Sequence, residues 1–358
     1  MINLIGLILG VMMVVSCHSL GPESISKSHG LYGQAIATSQ NQQFLENLVR
    51  LRYRETPFFL EVGSVTASLS FQSSLGVDSG FSTGSGPDIV QPSAGAAYSN
   101  SPTISYTPLQ GEDFLRKVLV AVPIESLIVL MQSGWNAERI FGMCVERING
   151  LENAPSASGP TPDRPPGNFG GFERLLDLLE GIRGKNLVSY SIEPESNKLL
   201  VQFNSSSDST GSVAEIKSLL GLSAERNVFT LTSNERERGS DTIAIRTRSI
   251  MSILFYLSQT VEAPKAHEDA GYVSTTRNQD GSRFDWRTTP AGKLFGVQQS
   301  RRRPASAYLA VPYRGYWFSI PNNDLSAKSS FMLMTQLFNL NAGAVQGVKP
   351  TLTIPVGR

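Results

Sequence analysis

Three histidines and two cysteines are the only imidazole and thiol side chains among these 358 residues. His18, His29 and His267 are far apart, no pair has metal-ligand spacing, and H-E-x-x-H does not occur. Neither a G-x-S-x-G elbow nor a Walker or dinucleotide glycine pattern is present. Acids stand close together at Glu112-Asp113 and at Asp280 with Asp285, the raw material of a two-carboxylate hydrolase. Adjacent acids at a helix start are better read as partners of its dipole. Arg301, Arg302 and Arg303 precede Pro304, and this triple suits the phosphates of anionic lipid or lipopolysaccharide, or else a solvated loop between strands. Tyr313, Tyr316, Trp317 and Phe318 flank Arg314-Gly315 and suit stacking on a sugar or a partner, or core packing. Cys144 lies in the helical pattern of residues 139–145 and reads as a small buried hydrophobe rather than a nucleophile. The expectation is no catalytic residue, no cofactor and no metal.

The other cysteine has a clearer context. Residues 1–17 carry no charged side chain, and an apolar run extends from Leu4 to Val15. A helix crossing a ~30 Å hydrocarbon core takes about 20 residues, so this run has instead the length of a secretory signal. As a buried helix of the mature fold it would be studded with Gly6 and Gly10 and would lack a polar face. Val14-Val15-Ser16-Cys17 resembles the bacterial lipobox, in which cleavage occurs before a cysteine that has received a diacylglycerol. The resemblance implies a signal peptide at 1–16, lipidation of Cys17, and a tether at 17–30. His18 stands where such lipoproteins carry Asp for inner-membrane retention, so it further implies the periplasmic face of the outer membrane.

Residues 62–111 form the most informative stretch. At the chain average of 17% charged, fifty residues would hold about eight charges; this one holds Asp78 and Asp88 alone. Val65, Ala67, Leu69, Phe71, Leu75 and Val77 take odd positions, and Ser64, Thr66, Ser68, Ser70, Gln72 and Ser74 take even ones. After a Gly/Ser-rich reversal, Ala94, Ala96, Tyr98, Ile104 and Tyr106 take even positions, with Ser93, Ser99, Thr103 and Ser105 between them. Period 2 predicts a long antiparallel β-hairpin with one apolar and one small-polar face. Such a hairpin suits a membrane β-barrel, apolar to lipid and polar to water. Val65, Ala67, Leu69, Phe71, Ile104 and Tyr106 would face the membrane, and Ser68, Ser70 and Thr103 the lumen. A single hairpin leaves its edges unpaired in lipid, so several subunits would have to share one closed barrel. The competing reading is a hairpin covering a soluble core, or a mobile Ser-rich loop. Pro102 and Pro108 count against a regular ladder.

Helices and strands surround this hairpin. Thr38 or Ser39 can cap a helix with the apolar stripe Phe44, Leu45, Leu48 and Val49, and Arg50, Arg52 and Arg54 crowd its carboxyl end. Three short helices are expected between 111 and 149, the last over 137–148 and ended by Asn149-Gly150. Residues 153–171 hold five prolines and four glycines and read as a linker. Beyond it the pattern predicts helices at 172–182, 213–220, 249–261 and 325–340. Strands are expected at 187–192, 198–203, 228–232, 242–246, 294–299, 307–312, 315–320 and 351–356. The expected fold class is α+β: an N-terminal helical region (31–152) carrying the long hairpin, then an α+β domain (172–358) with a mainly antiparallel sheet.

The run from Asn47 to Arg54 followed by Phe59 to Val65 resembles a family of uncharacterised Gram-negative lipoproteins. Ile104 to Leu109 leading to Gly111-Glu112-Asp113-Phe114, and Tyr313 to Phe318, are similar to its other marks. The resemblance implies an envelope location and no particular chemistry. With 31 basic against 30 acidic residues there is no field for nucleic acid. The reading is a lipid-anchored cell-envelope protein acting by assembly, as a homo-oligomer or with envelope partners. One form of it is a channel or export subunit that donates its hairpin to a shared barrel. The alternative is a periplasmic enzyme acting on glycan or peptidoglycan.

Overall fold

The computed structural model describes residues 20–66, 69–80, 89–100, 103–160, 162, 164–182, 187–196, 198–204 and 210–342. The signal and lipobox segment, with Cys17, lies outside these residues, as does the strand expected at 351–356. Two compact units are present among the described residues: one holds 20–59 and 110–342, the other holds the described part of Leu60–Leu109. The fold is α+β with mostly antiparallel sheets.

The first unit opens with helix α1 (Leu20–Arg52), which starts inside the segment expected as a tether and runs through Thr38 and Ser39. No cap is needed there, because the preceding turns already supply the i−4 carbonyls. Phe44, Leu45, Leu48 and Val49 are all buried, each of the aliphatic three stabilising by about 1.5–3 kcal/mol. Phe44 and Phe59 meet Phe338 at ring-centroid distances of 5.6 and 4.6 Å. Buried Asn47 fixes the exit of the helix: its side chain donates to the Phe58 carbonyl (2.7 Å) and accepts from the Phe58 N–H (2.8 Å).

After the hairpin come α2 (Glu112–Leu119), α3 (Ile124–Gln132) and α4 (Ala137–Cys144). The helix expected over 137–148 stops four residues early, and Val145–Ile148 is strand β5 instead. Asn149 and Gly150, at φ 42° and 88°, turn the chain into β6 (Leu151–Glu152). Asn-Gly is a two-residue hairpin turn as readily as a helix stop. Pairing of Ile148 with Ile245 and of Arg147 with Arg246 decides between them.

Six strands form the main sheet in the order β6-β5-β10-β9-β8-β7, with β7 (Val188–Ile192), β8 (Leu199–Phe203), β9 (Val228–Thr232) and β10 (Thr242–Thr247). Only β9 and β10 run parallel. Apolar side chains of α3, α4, α5 (Gly170–Gly181) and α6 (Thr210–Leu220) line one apolar cavity with those of the sheet. Ser249 caps α7 (Ile250–Ser258), and α8 (Lys265–Asp269) and α9 (Pro290–Leu294) follow. A second, three-stranded antiparallel sheet holds β11 (Gln298–Ser300), β13 (Tyr316–Pro321) and β12 (Ala307–Tyr313) in that order, and α10 (Leu325–Ala342) closes the described chain. Leu294, expected at a strand start, ends α9; the strand itself begins at Gln298.

The Pro/Gly-rich segment is not a spacer between domains. Asn153, Ala154, Ala157, Pro162 and Pro166 are buried, and the chain on both sides belongs to one unit. Arg248, 1% exposed, donates to the carbonyls of Val145 (2.6 Å), Ala154 (3.2 Å) and Asn153, and lies over the Tyr256 ring at 4.4 Å. Asn153 in turn donates to the Gly142 and Val145 carbonyls and accepts from the Tyr256 hydroxyl. Proline and glycine leave this segment only a 3-10 turn at Pro155–Ser158 and the start of α5, but they do not prevent burial, since side-chain donors from α7 and its approach satisfy the backbone.

The second unit is the hairpin, described as two ladders. Strands β2 (Leu69–Gly80) and β3 (Ile89–Asn100) pair over their full length, and β1 (Leu60–Thr66) pairs with β4 (Thr103–Pro108). Residues 67–68 and 101–102 between the ladders lie outside the described residues, including Ala67, Ser68 and Pro102.

Candidate functional site

Cross-strand partners in an antiparallel ladder share a face, so the register tests the two-faced pattern directly. Phe71 stands opposite Tyr98, Leu75 opposite Ala94 and Val77 opposite Pro92; Leu69 has Asn100 as its partner. Ser70 pairs with Ser99, Ser74 with Gly95 and Gly76 with Ser93. Val65 pairs with Ile104, and Thr66 with Thr103. The register therefore sets much of the apolar set of one arm against that of the other, while Leu69–Asn100, Ser73–Ala96 and Gln72–Ala97 are mixed pairs.

One feature of this face was not legible as alternation. The register shifts between Val62 and Ser64, a β-bulge at Gly63. Leu60 and Val62, at even positions, thereby join the face of Val65, opposite Pro108 and Tyr106. Without the extra residue they would lie on the serine face. Along β4, Ser105, Tyr106, Thr107 and Pro108 are exposed and Ile104 is half-buried; Tyr106 keeps 48% of its surface. Both sides of this strand are open.

A second cluster of polar chemistry sits where α1 ends, near α8 and the β12–β13 turn. Arg314 and Gly315, at φ 45° and 80°, make that two-residue turn. The Arg314 guanidinium donates to Glu55 (2.7 Å) and lies within 6 Å of the Tyr53, Tyr272 and Tyr313 rings. The Tyr313 hydroxyl also donates to Glu55. Those two donors hold the Glu55 carboxyl below its ordinary range, the Tyr313 hydrogen bond being the larger cause. His267, expected in a polar loop, is buried in α8 with its Nδ1 2.6 Å from the Tyr53 hydroxyl. Burial pushes the Tyr53 phenol up to about 12, so it stays protonated in this hydrogen bond. Burial, and then Arg314, lower the His267 pKa. Phe318 is wholly buried, Tyr313 and Tyr316 are half-buried, and the cluster reads as packing with one exposed ring, Tyr272.

Arg301, Arg302 and Arg303 are exposed in the loop between β11 and β12. Arg301 lies over Tyr316 (6.0 Å) and Arg303 over Trp317 (5.5 Å). Among the described residues none of the three has a carboxylate partner, which leaves their charge facing solvent. The acids singled out for hydrolysis are engaged locally. Glu112 holds Arg116 one helical turn on (2.6 Å), Asp280 accepts from Ser282, and Asp285 caps a 3-10 turn and pairs with Arg287 (3.1 Å). Cys144 is fully buried, and desolvation raises its thiol to about 12, the behaviour of a packing residue. Among the described residues no three His, Cys, Asp or Glu side chains converge, and no helix is long and apolar enough to cross a membrane.

No family model, no curated protein and no solved structure matches this chain.

Proposed function

We propose that this chain is a lipid-anchored cell-envelope protein that acts by assembly, with copies contributing their hairpins to one closed β-barrel in the outer membrane. The observation that carries this reading is the β2·β3 register, which puts Phe71, Tyr98, Leu75, Ala94 and Val77 on one face and Ser70, Ser74, Ser93 and Ser99 on the other. Each of these strands is 12 residues long, and a tilted spanning strand takes about 9–11. Between them they hold one charge, Asp78. An aqueous surface normally carries Lys and Glu at such positions, whereas a barrel needs apolar residues outside and small polar ones inside. Leu60–Leu109 fall in a unit of their own, and Tyr106 is 48% exposed. Each ladder is two-stranded, so closure requires other copies or partners. The lipobox-like Val14 to Cys17 supplies the anchor, and the resemblance to envelope lipoproteins agrees with that location.

Deletion of Thr66–Thr107, closed with a short turn, tests the reading. Wild-type protein extracted in detergent is expected to migrate as a large ring and to conduct ions in a planar bilayer. The deletion variant is expected to keep a cooperative melt while running as a monomer. Loss of that melt would show that the hairpin is part of the core and would overturn the proposal, as would a monomeric, non-conducting wild type. Leu69→Arg, costing about 2–4 kcal/mol near the midplane, should block insertion, while Ser70→Arg should insert and alter conductance.

A further inference from the structure

A cleft of about 490 Å³ opens at one end of the main sheet, against β5, the Asn149-Gly150 turn and the 3-10 turn Glu235–Glu237 that follows β9. Arg147, Arg236 and Arg238 line it, with Glu152 and Glu235 as its acids. Both acids are committed to Arg147, whose two terminal nitrogens donate to Glu152 (2.6 Å) and Glu235 (3.4 Å). The Nε–H of Arg147 is buried and has no acceptor. Arg236 and Arg238 are exposed and make no ion pair among the described residues. The cleft therefore carries one net positive charge, two open guanidiniums and one orphaned donor.

Gly150 is part of the arrangement. Its φ of 88° already favours glycine, and a Cβ there would come within 2.7 Å of the Arg238 guanidinium. The missing side chain is what lets Arg238 lie against the turn at the cleft wall.

We propose that this cleft binds a phosphoryl group. Planar guanidinium forks match tetrahedral oxyanions in two-point hydrogen bonds, and Arg236 and Arg238 are the two that the cleft leaves open. Among the described residues two of the three arginines have no carboxylate partner, so their donors are free for an anion from outside. The group is either that of a soluble phosphate or that of a lipid headgroup, and the cleft is roomy enough for a phosphate carried on a larger molecule. The proposal does not depend on the barrel reading.

Isothermal titration of the full chain in neutral detergent separates the two sources. One arm uses inorganic phosphate; the other uses glycerophosphoglycerol, the deacylated headgroup of phosphatidylglycerol. Saturable binding that weakens with added salt is expected in at least one arm and identifies the source. Arg236→Gln and Arg238→Gln should each weaken it about 10-fold or more, as expected for loss of a hydrogen bond to a charged group. Because both side chains are exposed, their melting curves should match the wild type. Arg302→Gln, in the other arginine cluster, should leave binding unchanged. Absence of saturable binding in both arms overturns the proposal. So does binding that survives in the Arg236→Gln/Arg238→Gln double variant, or that is lost in Arg302→Gln instead.

Discussion

Replacing Arg248 by Met probes how the Pro/Gly-rich segment is held. Met keeps much of the side-chain volume but donates no hydrogen bond. The Val145 carbonyl would still accept from Asn153, and the Ala154 carbonyl from the Ala157 N–H. The Asn153 carbonyl would lose its donor inside the core. One orphaned buried acceptor costs about 1–3 kcal/mol, and loss of a desolvated cation over the Tyr256 ring costs about 2 kcal/mol. Relief of a buried charge offsets part of this, because the guanidinium is desolvated with no carboxylate in contact. The net expectation is a loss of about 2–4 kcal/mol. At about 2 °C per kcal/mol for a unit of this size, melting should fall by about 4–8 °C in calorimetry. Limited proteolysis supplies the local readout. Residues 154–170 should resist cleavage in the wild type, despite their prolines and glycines, and become an early cleavage site in the variant. An unchanged melting curve together with an equally protected segment would show that Arg248 does not pin it, and the reasoning would fail.

Cys144 should not react with Ellman's reagent in the native protein, being fully buried and raised to about 12, and should react in full after denaturation; a fast native reaction of a Cys17→Ser chain would contradict its burial. His267 has a folded-state pKa below its ordinary 6.5, so its contribution to stability is complete above pH 6.5 and is lost as pH falls through the folded value. The melting free energy should therefore decline on acidification from pH 6.5, by no more than about 1.4 kcal/mol per pH unit from this group, and His267→Gln should flatten that stretch of the profile. Gly292 packs directly against the backbone of Trp286 and Arg287, where a methyl group has no room. Gly292→Ala should destabilise by about 1–3 kcal/mol, read by urea titration, and a neutral result would mean that α9 shifts freely.

Features written in local periodicity were legible from the chain alone. The alternation over 64–77 and 93–106 set two faces, and the ladder register then put Phe71 opposite Tyr98, Val65 opposite Ile104 and Ser70 opposite Ser99. The stripe Phe44, Leu45, Leu48 and Val49 marked the buried face of α1, and β7 to β10, β12 and β13 fall within a residue or so of their expected positions. In each case neighbours in sequence decide the conformation, through period 2 or period 3.6. Three features had no such local signature. Residues 145–148 carry a pattern that fits either helix or strand, and only pairing with β10, about a hundred residues on, selects strand. The prolines and glycines of 153–171 disfavour long regular elements without saying whether the segment is exposed, and a guanidinium that arrives with Arg248 satisfies its buried carbonyls. Arg147, Arg236 and Arg238 are unremarkable where they stand in the chain; β5 and the turn after β9 bring them around one cleft. Local sequence sets backbone conformation because side-chain sterics act over a few residues, whereas burial and charge grouping depend on which distant segments meet, and those the tertiary structure alone decides.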